Sequence, residues 1–66
     1  MRITLKACRT NIGMTAKAMG EIVGVTPDTI YKWERGASAP TAPQMAKMLE
    51  IYASKGFVVG LSDIIF

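Results

Sequence analysis

The chain has 66 residues, half of them hydrophobic, and a formal net charge of +3. That length bounds it to one domain, residues 1–66, burying only about 60% of its unfolded surface, and that hydrophobicity excludes a disordered chain. No apolar run approaches the roughly 20 residues that cross a membrane, and a single cysteine without any histidine excludes an internal disulfide framework and fits a reducing cytoplasm.

The opening Met-Arg-Ile-Thr-Leu-Lys has no long apolar core and does not read as a signal peptide. The charge is unevenly spread. Six bases (Arg2, Lys6, Arg9, Lys17, Lys32, Arg35) face three acids (Glu21, Asp28, Glu34) up to Arg35, whereas Lys47 and Lys55 balance Glu50 and Asp63 beyond it. An excess confined to one half points to a polyanionic partner for that half.

Leu5, Cys8 and Ile12 recur at i, i+3, i+7 and predict a first helix from about Thr4 to Asn11, ended by Gly13. Cys8 lies on the apolar stripe. A metal or redox role needs a second ligand or thiol that the chain lacks, so core packing is expected, where free cysteine acts as a small hydrophobe. Met14 is placed to pack beneath the next helix.

The stretch from Thr15 to Gly36 predicts two short helices joined by a tight turn. Thr15 caps the first, about Ala16 to Val23, its hydroxyl accepting from an otherwise orphaned N–H. Met19, Ile22 and Val23 share a face by their spacing. Gly20 leaves room for close approach, and Gly24 permits the change of direction. Val25 points inward. Thr26 caps the second helix, with Pro27 at its first position, where a missing N–H is no loss. That helix spans 27–35, with Ile30 and Trp33 on its inner face, and Gly36 ends it.

Thr15-x3-Met19-Gly20-x2-Val23-Gly24-Val25-Thr26-x3-Ile30-x2-Trp33-Glu34-Arg35-Gly36 resembles the helix-turn-helix of the phage Cro/CI repressor (XRE-like) family. The Gly-Val-Thr turn and the Trp-Glu-Arg-Gly ending are its most specific parts, and the likeness extends from Leu5 to about Ile65. It implies an all-α fold, a compact bundle of about five short helices around a central helix-turn-helix, the lambda-repressor-like DNA-binding domain. It also implies that Arg9 pairs with Glu34 as a structural ion pair tying the first helix to the DNA-reading helix. Two independent exposed charges are the alternative.

Beyond Gly36, Ala-Ser-Ala-Pro forms a short linker. Thr41 and Gln44 have the spacing of a capping box opening a fourth helix. Met45, Met48, Leu49 and Tyr52 form its stripe and are expected to close over Ile22, Ile30 and Trp33. Lys55-Gly56 ends it, and Leu61 to Ile65 is expected to make a last helical turn. Phe57, Val58, Val59, Ile64, Ile65 and Phe66 are too many apolar residues for one small core. Phe57, Val58, Ile64 and Phe66 are therefore expected to form a contact with a second copy, giving a homodimer. A frayed tail is the alternative.

The family likeness places the second motif helix in the major groove, so the side chains at its start read bases: Pro27, Asp28, Tyr31 and Lys32. Lys32 can donate to guanine O6 and N7, and Asp28 can accept from cytosine N4. Tyr31 can meet a thymine methyl or a phosphate. Phosphate contacts are expected around Thr15, Ala16, Lys17, Thr29, Arg35 and Ser38. Two positions depart from the family: Ala16 stands where many members carry glutamine, and Pro27 where a polar base-reading side chain is usual.

The leading expectation is a sequence-specific transcriptional regulator of Cro-like repressor type, acting on double-stranded DNA in a bacterial or phage-infected cytoplasm. The alternative is an adaptor or antitoxin that keeps the fold and binds mainly a protein partner, a reading that Ala16, Pro27 and Asp28 favour. An enzyme is not expected, because the five carboxylates are scattered and no phosphate-cradling loop is present. No metal, cofactor, membrane or small-molecule ligand is expected.

Overall fold

A computed structural model describes residues 2–66. They form four α-helices: α1 (Leu5–Asn11), α2 (Ala16–Val23), α3 (Pro27–Glu34) and α4 (Ala42–Ser54). A 3-10 turn at Leu61–Asp63 follows, and two short strands, β1 (Ile3–Thr4) and β2 (Ile64–Ile65), pair in parallel with Ile3 opposite Ile64.

Every α-helix opens on a threonine. The hydroxyls of Thr4, Thr15, Thr26 and Thr41 accept from the N–H groups of Ala7, Ala18, Thr29 and Gln44. At α4 the Gln44 side chain also accepts the Thr41 N–H at 2.8 Å, completing the capping box. Such caps satisfy donors that the helix itself leaves orphaned.

The core joins all four helices. Leu5 and Cys8 from α1, Met19 from α2, Ile30 and Trp33 from α3, and Met45, Met48, Ile51 and Tyr52 from α4 are all buried. Val59 and Ile64 close it from the C-terminal segment. Burial pushes the Cys8 thiol pKa up, in keeping with core packing rather than reactivity.

Three expectations are corrected. Ile22 is 47% exposed and does not share the buried face with Met19. The inner arc of α2 is instead Ala16, Met19 and Gly20, with Val23 half-buried against the core. On α4 the buried set takes in Ile51, while Leu49 is only half-buried.

The last helical turn is the third correction. Only Leu61–Asp63 coils, as a 3-10 turn in which Asp63 Oδ2 accepts the Gly60 N–H at 3.0 Å. That hydrogen bond holds the Asp63 carboxyl below its ordinary pKa range. Ile64 and Ile65 then extend to pair with β1. Branched side chains favour extended backbone, and Ile3 and Thr4, lying ahead of α1, have backbone groups left to pair. Ile64 is thereby buried, and Phe57 packs edge-on against Tyr52 at 6.3 Å between ring centroids. Ile64 is therefore not an exposed dimer contact, and Phe57 is only half-exposed.

Candidate nucleic-acid interface

The junction of α2 and α3 sets the site. Gly20 carbonyl accepts from both Gly24 and Val25 N–H at 2.8 Å. A Cβ on Gly20 would stand 2.5 Å from the Val25 carbonyl oxygen, so only glycine admits this turn. Gly24 has φ of 89°, the left-handed conformation in which glycine carries no strain. Thr26 and Pro27 then start α3 in the new direction.

On α3, Ile30 and Trp33 are 1% and 5% exposed. The opposite side carries Pro27, Asp28, Tyr31 and Lys32, all exposed. Positions 27, 28, 31 and 32 fall at i, i+1, i+4, i+5, one continuous strip of a helix. The structure thus brings the four expected base-reading side chains together on one outward face. Lys32 Nζ lies 3.3 Å from Asp28 Oδ2.

Arg9 and Glu34 form the expected pair. Arg9 Nε and Nη2 donate to Glu34 Oε2 and Oε1 at 2.6 and 3.1 Å, and Nη1 donates to the Met14 carbonyl at 3.0 Å. Both side chains are largely buried. The Glu34 hydrogen bond raises the Arg9 pKa further, so the guanidinium stays charged. Arg9 Cζ also lies 5.9 Å from the Tyr31 ring centroid, covering that ring from the protein side. One residue of α1 therefore fixes both the end of α3 and a side chain of its outer strip.

The expected phosphate contacts separate. Thr15, Lys17, Arg35 and Ser38 are exposed. Thr15 sits at the N-terminus of α2, where first-turn N–H groups and the helix dipole favour an anion. Thr29 is half-buried, its hydroxyl 3.1 Å from that of Thr26 within the α3 cap. The Ala16 side chain is 2% exposed and packs into the core, so any phosphate contact there falls to its backbone N–H in the first turn of α2. Lys6, absent from the expected contacts, borders a shallow cleft with Tyr31, Glu34 and Arg35. The signal was its position one turn before Arg9, which the ion pair carries to α3.

At the C-terminal end, Val58 and Phe66 are exposed, as expected of contact residues. Ile64 belongs to the interior, and Phe57 is half-buried against it. An apolar groove of about 430 Å³, which no sequence pattern announces, runs between the linker, α4 and the tail, lined by Ala39, Pro40, Ala42, Met45, Ala46, Leu49, Leu61 and Phe66. Among the described residues no cluster of three or more His, Cys, Asp or Glu side chains could hold a metal ion. None of the described helices is long and apolar enough to cross a membrane.

Compared with known proteins, the chain matches the helix-turn-helix family model over residues 5–55, from the start of α1 to the end of α4. No curated protein and no solved structure matches it.

Proposed function

The chain belongs to the Cro/CI-type (XRE) helix-turn-helix family of DNA-binding regulators, and on that premise we propose that it is a sequence-specific repressor. It acts as a homodimer that lays α3 of each copy in successive major grooves of a near-palindromic operator and so blocks transcription. The observation that carries this reading is the outer strip of α3. Four side chains face out together while Ile30, Trp33 and the Arg9–Glu34 pair anchor the helix from behind. Thr15, Lys17, Arg35 and Ser38 hold phosphates and set the register without reading sequence.

The test is selection of bound duplexes from a random pool at about 0.1 M salt, with binding repeated across a salt series. Enrichment of a near-palindromic site, its halves about 34 Å apart, is expected. Absence of enrichment, with only weak salt-labile binding, would move the function to the protein-binding adaptor. Pro27 and Asp28 on the outer strip of α3, neither of which attracts DNA, are the features that favour that second reading.

A further inference from the structure

The outer strip of α3 holds one acid and one base, Asp28 and Lys32, and their heads meet at 3.3 Å. An acid four residues ahead of a base is a common helix-surface pair that adds little stability when exposed, and both side chains are largely exposed here. Its place gives it another use. It lies on the face turned away from Ile30 and Trp33, in the row next to Tyr31 and Pro27, which has no polar side chain. The nearby Arg9 is committed to Glu34 and the Met14 carbonyl. The strip therefore has no net charge, and its charged groups are one couple, an ammonium beside a carboxylate.

The major-groove edge of a G·C pair is the complement of that couple. Guanine shows two acceptors, N7 and O6, and cytosine shows one donor, the N4 amine. O6 and N4 are hydrogen-bonded to each other, so they stand about 2.7–3.2 Å apart, close to the 3.3 Å between Lys32 Nζ and Asp28 Oδ2. The ammonium can cover both guanine acceptors while the carboxylate accepts from N4, without the two heads separating. On an A·T edge the couple meets only adenine N7 and N6, and the second carboxylate oxygen faces the thymine O4 acceptor and methyl group.

We propose that Asp28 and Lys32 act as one reading unit that selects a G·C base pair in each half-site, guanine beneath Lys32 and cytosine beneath Asp28. This rests on α3 entering the major groove, as proposed above. It also assigns Asp28 a cost in non-specific binding, because its charge neutralises Lys32 and repels phosphate. Selectivity and raw affinity then move in opposite directions when Asp28 is removed.

The experiment is random-duplex selection with the wild type, with Asp28→Ala, and with the exchange Asp28→Lys plus Lys32→Asp, each checked for cooperative unfolding. The wild type is expected to enrich one G·C position per half-site by about tenfold or more. Asp28→Ala should lose preference at that position and bind an unrelated duplex several-fold more tightly. The exchange should enrich the same pair reversed, cytosine where guanine stood. A wild-type site that both variants enrich unchanged, or an A·T pair at the position that shifts, overturns the proposal while DNA reading stands. A wild type that binds no duplex overturns DNA reading and this proposal with it. Should the exchange not fold, Asp28→Ala decides alone.

Discussion

Arg9 meets Glu34 with two parallel hydrogen bonds and gives a third nitrogen to the Met14 carbonyl, all in a largely buried setting. A buried charge that loses its partner keeps the cost of its desolvation without the attraction that offset it. Arg9→Ala or Glu34→Ala alone should therefore destabilise the protein by about 3 kcal/mol or more. The double variant Arg9→Met, Glu34→Leu should cost less than either, since no stranded charge remains. Urea titrations of all four proteins check this, and a double-variant cost equal to the sum of the single ones would mean the two side chains act independently. Tyr52 presents the opposite case. It is fully buried, and its hydroxyl has no hydrogen-bond partner among the described residues. Tyr52→Phe removes that desolvated group and should raise the unfolding temperature by a few degrees, roughly 1 kcal/mol. The same burial pushes the phenol pKa upward from its ordinary value of 10.0. Above that pH the unfolded chain releases the Tyr52 proton while the folded chain retains it, so folding loses stability as pH rises. This decline should be shallower in Tyr52→Phe. Thermal melts of the two proteins from neutral pH to pH about 11 would show it, and parallel curves would mean that Tyr52 ionises as easily folded as unfolded.

The turn between α2 and α3 is where element-scale chemistry is most direct. Gly24 has φ of 89°, and nothing lies within 4 Å of the Cβ it lacks. A substitution there meets backbone strain alone. Gly24→Val should cost about 1–3 kcal/mol, and Gly24→Asn should recover much of it, because asparagine tolerates the left-handed region. Equal melting temperatures for the two variants would place the cost in packing rather than in φ. This turn, the caps Thr15, Thr26 and Thr41 and the phase of α3 were legible in the sequence because each is local. A hydroxyl meets an N–H three residues on, a glycine follows the helix it ends, and Ile30 and Trp33 orient a helix whose outer face is polar. On α2 the spacing holds for Met19 and Val23 and fails for Ile22, because the inner arc turns toward Ala16 and Gly20, small residues that carry little weight in a pattern of bulky apolar spacing. Ile22 then stood in for them. The tail was illegible for another reason. The pairing that decides it joins Ile3 to Ile64, and no local pattern in Leu-Ser-Asp-Ile-Ile announces a strand whose partner lies at the other end of the chain. The groove follows from that pairing, so the place of Leu61 and Phe66 beside Ala42 and Ala46 was equally hidden.

The dimensions of the whole molecule bear on how it would read an operator. Its Cα frame measures 25 by 20 by 20 Å, whereas successive major-groove faces stand about 34 Å apart. One copy presents one α3 and spans one half-site, so a near-palindromic operator requires two copies held in register. The groove between the linker, α4 and the tail suits the second copy. Ala39, Ala42 and Ala46 leave a hollow beside Leu61 and Phe66, which are 54% and 61% exposed. In the proposed dimer, a two-fold axis through this face would set the projecting side chains of each copy against the hollow of the other, a self-complementary contact that closes at two. It also covers apolar surface that a domain of this size can hardly leave in water. Phe66→Asp should then shift the protein to monomer in sedimentation velocity while its helical circular dichroism persists, because Phe66 lies outside the core. Its affinity for a palindromic duplex should fall much more than its affinity for a single half-site, since only the former depends on coupling two copies. Ile64→Asp provides the contrast. Ile64 is 8% exposed and paired to Ile3, so a charge there should unfold the domain rather than divide a dimer. If Phe66→Asp sediments as the wild type does, the copies do not meet at this tail. If Ile64→Asp stays folded and merely dissociates, the tail pairs between copies instead of within one.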